Sequence, residues 1–154
     1  MRLKNILFVL ITIVILATAG CGKKAITEDG FTSAVEGIGL SVNDDTETYS
    51  DTAGITKSLY GVKDDRLESY EFYRFKTPED AGVQFDSLRI QIGDAEAKDK
   101  VEVNLSGKNY SLYKADVDGL YYHVCRIDNT LFFGSSVKDK KKEIEDFAKK
   151  IGYN

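Results

Sequence analysis

Apolar and polar positions alternate in two regimes along the chain. From Ile6 to Ala17 apolar residues run almost unbroken behind Arg2 and Lys4, with Thr12 the one interruption. From Ala25 onward they are spaced, and the spacing identifies elements. Phe31, Ala34, Val35 and Ile38 recur at helical intervals behind Thr27, a residue suited to cap the first turn, and Glu28 and Asp29 follow it. This predicts a helix ending near Ile38, where Gly37 and Gly39 weaken it. Ile55–Val62 and Leu67–Lys76 are rich in β-branched and aromatic residues around a turn-like Lys63-Asp64-Asp65-Arg66, which predicts a hairpin. The second strand carries Tyr70 and Phe72 on one face and Tyr73 and Phe75 on the other, the mark of a central strand.

Thr77-Pro78-Glu79-Asp80 opens a second helix, with Thr77 as cap and Pro78 in the first turn, where its missing N–H is harmless. Its stripe is Ala81, Phe85, Leu88 and Ile92, and Gly93 stops it. Val101, Val103 and Leu105 alternate with Glu102 and Asn104, which predicts a half-buried strand. Asn109–Ala115, Leu120–Ile127 and Thr130–Ser135 complete a meander. Ser136 to Asp139 has capping-box spacing before a last helix with the stripe Ile144, Phe147, Ala148 and Ile151, closed by Gly152. The order α-β-β-α-β-β-β-β-α predicts an α+β fold: a two-layer sandwich, its mainly antiparallel sheet of about five to six strands carrying helices on one face.

Turn length decides which meander residues share a face, because strand register has period two. Asp116-Val117-Asp118-Gly119 has the composition of a type I turn followed by a glycine bulge. That odd loop pairs Ala115 with Tyr121 and places Tyr113, Tyr121, His123 and Cys125 away from Leu112, Tyr122 and Val124. A two-residue turn at Asp128-Asn129 adds Phe132 to the first group. Tyr113, Tyr121, His123 and Phe132 are then a candidate binding face, an aromatic patch on an open sheet surface. A two-residue Asp118-Gly119 turn instead buries His123 and Cys125, and a helix laid over the patch makes it a second core layer.

The leading segment has the layout of a secretory signal: positive, apolar, then small residues. Its apolar run is shorter than the roughly 20 residues a spanning helix needs. Thr18-Ala19-Gly20-Cys21 resembles a bacterial lipobox, with Thr18 where a branched apolar residue is usual. The resemblance implies a signal peptide over 1–20 and a lipidated, palmitate-bearing Cys21 that heads a short tether over 21–26; the element pattern makes 27–154 a single α+β domain. Ala17-Thr18-Ala19 also fits cleavage without lipid, and an uncleaved anchor is the third possibility.

Composition changes the picture in two ways. Without Arg2 and Lys4, 19 of the 21 basic residues face 25 acidic ones, a net charge near −6. That balance argues against nucleic acid and leaves the lipid anchor as the membrane contact. Of the two cysteines, a lipidated Cys21 leaves Cys125 unpaired, whereas an unmodified Cys21 permits a Cys21–Cys125 bridge.

Candidate chemistry is sparse. His123, the single histidine, and Cys125 are two apart on a strand and point the same way, the one arrangement suggesting a thiol–imidazole dyad or metal clip. No residue to orient such a dyad is evident. The acidic segment Asp44–Asp51 and the Asp116/Asp118 turn lack the spacing of a calcium loop. No phosphate-binding, nucleophile-elbow or paired-cysteine motif occurs, so no metal or cofactor is expected. The stripe Phe31/Ala34/Val35/Ile38 with the V-N-D-D-T-E loop resembles uncharacterised lipoproteins of Gram-positive bacteria, a likeness that implies no activity. The expectation is a non-catalytic extracytoplasmic binding or protein-interaction module held at the cell membrane. The alternatives are a small envelope enzyme using Cys125 and His123, or a structural subunit of an envelope assembly.

Overall fold

The computed structural model describes residues 22–49, 54–63 and 67–154. The expected signal peptide over 1–20, Cys21, residues 50–53 and residues 64–66 of the expected turn lie outside the described residues. The chain is α+β, with seven antiparallel strands and three α-helices among the described residues. In chain order the elements are α1 (Glu28–Glu36), β1 (Asn43–Asp44), β2 (Ile55–Val62), β3 (Glu68–Phe75), α2 (Pro78–Gly93), β4 (Lys100–Ser106), β5 (Tyr110–Val117), β6 (Leu120–Ile127), β7 (Thr130–Val137) and α3 (Lys141–Ile151). The sheet order is β1-β2-β3-β7-β6-β5-β4, which joins the early hairpin to the meander through β3 and β7. The strand beyond the expected five to six is the two-residue β1, which caps the edge of β2.

Local signals account for most boundaries. Thr27 Oγ accepts from Gly30 N at 3.1 Å, and Thr77 Oγ accepts from Asp80 N at 3.1 Å while donating to the Asp80 carboxylate at 2.9 Å. Gly152 takes the left-handed conformation that ends α3. The expected capping box at Ser136–Asp139 does not form. β7 continues through Val137, a 3₁₀ turn over Lys138–Lys140 follows, and Ser136 stays in the strand, buried, its hydroxyl without a partner among the described residues.

The helices divide between the sheet faces, two on one and one on the other, so the sheet has a layer beyond the expected single helical one. α1 and α3 cover the face that carries Leu59, Phe72, Tyr121, Cys125 and Phe132. α2 covers the opposite face, against Phe75, Tyr113, Val124 and Leu131. Aromatics on both faces of β3 require this, because each face of a central strand must be kept from water. β4 departs from its expected half-burial: it forms the sheet edge, and Val101, Val103 and Leu105 remain 65%, 44% and 52% exposed.

The meander register corrects the expectation from the odd loop. Val117 pairs with Leu120, and Asp118 (φ 47°) and Gly119 (φ 86°) form a two-residue turn with both centres left-handed. Such turns match the twist of hairpin strands, and Asp tolerates the conformation that Gly adopts freely. Ala115 therefore pairs with Tyr122, not Tyr121, and Leu112 pairs with Cys125. The shift by one residue turns every side chain of β6 to the other face relative to β5. The two-residue turn at Asp128-Asn129 forms as expected, and Cys125 pairs with Phe132.

Candidate functional site

The aromatic set Tyr113, Tyr121, His123 and Phe132 is not an open face. Tyr121, His123 and Phe132 share the sheet face under α3 and are fully buried. Tyr113 lies on the opposite face, where its hydroxyl donates to Glu102. The two-residue turn separates Tyr113 from the others, and α3 covers what remains. His123 Nε2 donates to the Tyr153 carbonyl at 2.6 Å, which fixes the neutral tautomer with Nδ1 as acceptor, 3.4 Å from the Tyr121 hydroxyl. That hydroxyl donates to Glu145 at 3.1 Å. Burial lowers the His123 pKa to about 4, helped by Lys114 and Lys23 and opposed by the Tyr153 bond.

Cys125 is a free, buried thiol on the same strand face. Its thiol contacts the Arg126 carbonyl, and burial pushes it up to about 12, so it stays protonated. The imidazole is directed to Tyr153 and Tyr121, not to the thiol, so the two do not form the dyad that nucleophilic chemistry requires. Among the described residues no group of three His, Cys, Asp or Glu side chains can hold a metal ion. Among the same residues no helix is long and apolar enough to cross a membrane.

A concavity lies elsewhere, on the α1/α3 face beside Lys63 and Glu68. α1 ends at Glu36, and Gly39 (φ 82°) turns the chain away, leaving a groove of about 380 Å³ between its end, β3 and α3. Ile38 and Leu40 form one wall, and Tyr70 and Phe147 form the floor with ring centroids 4.7 Å apart. At its sheet end stands Glu68, 3% exposed. Its carboxylate accepts from the Tyr70 hydroxyl at 2.7 Å and from Lys63 Nζ at 3.0 Å. Burial and the adjacent carboxylate hold the Tyr70 phenol well above its ordinary pKa, so it remains a donor.

α3 supplies the outer rim: Glu143, Asp146 and Lys150. Glu143 pairs with Lys140 at 3.5 Å, and Asp146 pairs with Lys142. Lys150 Nζ reaches within 3.2 Å of where a Cβ on Gly37 would stand, over the last turn of α1, whose carbonyls attract a cation. The groove thus has an apolar floor, with Glu68, Glu143 and Asp146 each paired with a lysine and Lys150 beside them.

Sequence reasoning missed Glu68, although a signal was present. Glu68, Tyr70 and Phe72 alternate along one face of a central strand, which places a carboxylate in an otherwise buried aromatic row. The groove's remaining parts come from segments far apart in the chain and share no local pattern.

No family model matches the chain, and no curated protein matches it. The crystal structure of a GTP binding regulator from Thermotoga maritima aligns with a TM-score of 0.49 at 15% identity, covering 83% of this chain and 88% of that one. A likeness that distant carries no inference about ligand or activity.

Proposed function

We propose that this chain is a lipid-anchored, extracytoplasmic binding module, non-catalytic, whose ligand enters the groove between α1, β3 and α3. The leader through Cys21 supports the anchor and the compartment. The observation that carries the binding reading is the buried Glu68 carboxylate at the end of an open apolar floor. Pockets with apolar walls and a few convergent polar groups are the usual form of small-ligand sites. The pairs Glu143–Lys140 and Asp146–Lys142 are solvent-exposed and weak, so the groove suits an apolar body carrying a cationic head that displaces their lysines, the body over Tyr70 and Phe147 and the head toward Glu68, Glu143 and Asp146.

The test is a titration followed by NMR, using hexylammonium, hexanol and hexanoate as probes. Hexylammonium is expected to bind tightest, to shift Tyr70 and Phe147 resonances, and to weaken in Glu68→Gln. Equal binding of the three probes, or a Glu68→Gln variant that binds hexylammonium unchanged, overturns the groove as the site.

A further inference from the structure

The segment after Cys21 is not a free tether. Gly22 lies against the Asn109 side chain, with Asn109 Oδ1 at 3.2 Å from where a Cβ on Gly22 would stand. Lys23 N donates to Asn109 Oδ1 at 3.0 Å, and Asn109 Nδ2 donates back to Lys23 O at 2.7 Å. Lys23 Nζ bonds the Asn154 carbonyl and stands 5.0 Å from the centre of the Tyr110 ring. Ala25 and Ile26 then pack against the core. Asn109 is itself held, bonding the Asp128 carboxylate at 3.2 Å while its carbonyl accepts from Asp128 N at 2.9 Å. The start of the mature chain is thereby fastened to the β4–β5 and β6–β7 turns, at one end of the sheet.

We infer that this end of the sheet, built on Lys23, Lys108, Asn109 and Asp128, is the surface that rests on the lipid headgroups, with the ligand groove held away from the bilayer; the inference rests on the proposed acylation of Cys21. Cys21 is one peptide link ahead of Gly22, about 3.8 Å of chain. The headgroup layer of a leaflet is roughly 5–7 Å deep. A lipid attached that close to Asn109 leaves no room for the domain to stand off or to roll freely. The register fixes which residues face outward. Tyr110 pairs with Ile127, and Thr130, the partner of Ile127, pairs with Arg74 at the same end of the sheet. Glu68 is six residues from Arg74 along β3, about 20 Å farther from that end. The Glu68 end of the groove therefore lies away from the bilayer.

The experiment uses the full chain, extracted from bacterial membranes, its lipid on Cys21 verified by mass spectrometry, and reconstituted in phosphatidylcholine/phosphatidylglycerol vesicles. A fluorophore is placed at Lys108→Cys or, as control, at Asp139→Cys in the 3₁₀ turn at the opposite end of the sheet, and quenched by headgroup-nitroxide lipid. The label at position 108 is expected to be quenched several-fold more than that at 139. Six Gly/Ser residues inserted between Cys21 and Gly22, which leave the Asn109 contacts in place, are expected to abolish the difference. Equal quenching at both positions in the acylated protein, or a difference that survives the insertion, overturns the orientation and leaves the anchor standing. An unmodified Cys21 removes the anchor and the orientation together.

Discussion

His123 makes the stability of this domain depend on pH in a narrow window. The ring is fully buried, and its pKa is lowered to about 4, against about 6.5 in an unfolded chain. Between these values the unfolded state holds a proton that the folded state does not, so stability is fully present above pH 6.5 and is lost as pH falls toward 4. Linkage puts the loss at about 2 kcal/mol between pH 7 and pH 5, and about 3 kcal/mol by pH 4. Against a total of about 5–15 kcal/mol for a domain, this is a large fraction. Asp44, lowered to about 2 by Lys57 and Thr46, loses its contribution in a lower window and does not overlap.

The assay is urea unfolding at pH 7, 6, 5 and 4.5, comparing the parent chain with His123→Gln. Glutamine keeps an N–H for the Tyr153 carbonyl and does not titrate. The parent midpoint is expected to fall by about 1 M urea between pH 7 and 5, and the variant, whatever its stability at pH 7, is expected to show a much flatter decline. A parent midpoint that does not move, or a variant with the parent's slope, would falsify the burial of a neutral His123.

Three further outcomes follow from the packing. Cys125 is expected to resist iodoacetamide in the native protein at pH 8 and to react fully in urea; labelling of the native chain at the rate of a free thiol would contradict the observed register. Gly134→Ala places a methyl 2.6 Å from Ile144 Cγ2, beneath α3, and overpacking of this kind costs about 1–3 kcal/mol; an unchanged melting temperature counts against the seating of α3. Phe147→Ala removes a ring that contacts Phe31, Tyr70 and Phe132 and is expected to cost about 3–5 kcal/mol in denaturant unfolding, so a loss under 1 kcal/mol refutes its place in the core.

Local chemistry was legible in the chain because it is decided within a few residues. Thr27 and Thr77 are caps wherever the helices dock, and the stripes Phe31/Ala34/Val35 and Ile144/Phe147/Ala148/Ile151 are buried whichever sheet face receives them. The aromatics on both faces of β3 announced a central strand, whereas the expectation placed helices on one face only and the second covering layer came from the structure. What the sequence left open turned on one residue of turn length. Asp116-Val117-Asp118-Gly119 is compatible with an odd or an even loop, and only the packed sheet selects the two-residue turn that sends His123 and Cys125 inward and Tyr113 to the other face. Val101, Val103 and Leu105 show the same limit: alternation declares a stripe, but α3 does not extend over the sheet edge to bury it. The groove is a third case, since residues 38–40, 63, 68–70 and 143–150 meet through helix docking alone. Caps and periodicity are short-range, whereas the face a side chain occupies and the surfaces left uncovered are settled by how the whole sheet shares its helices.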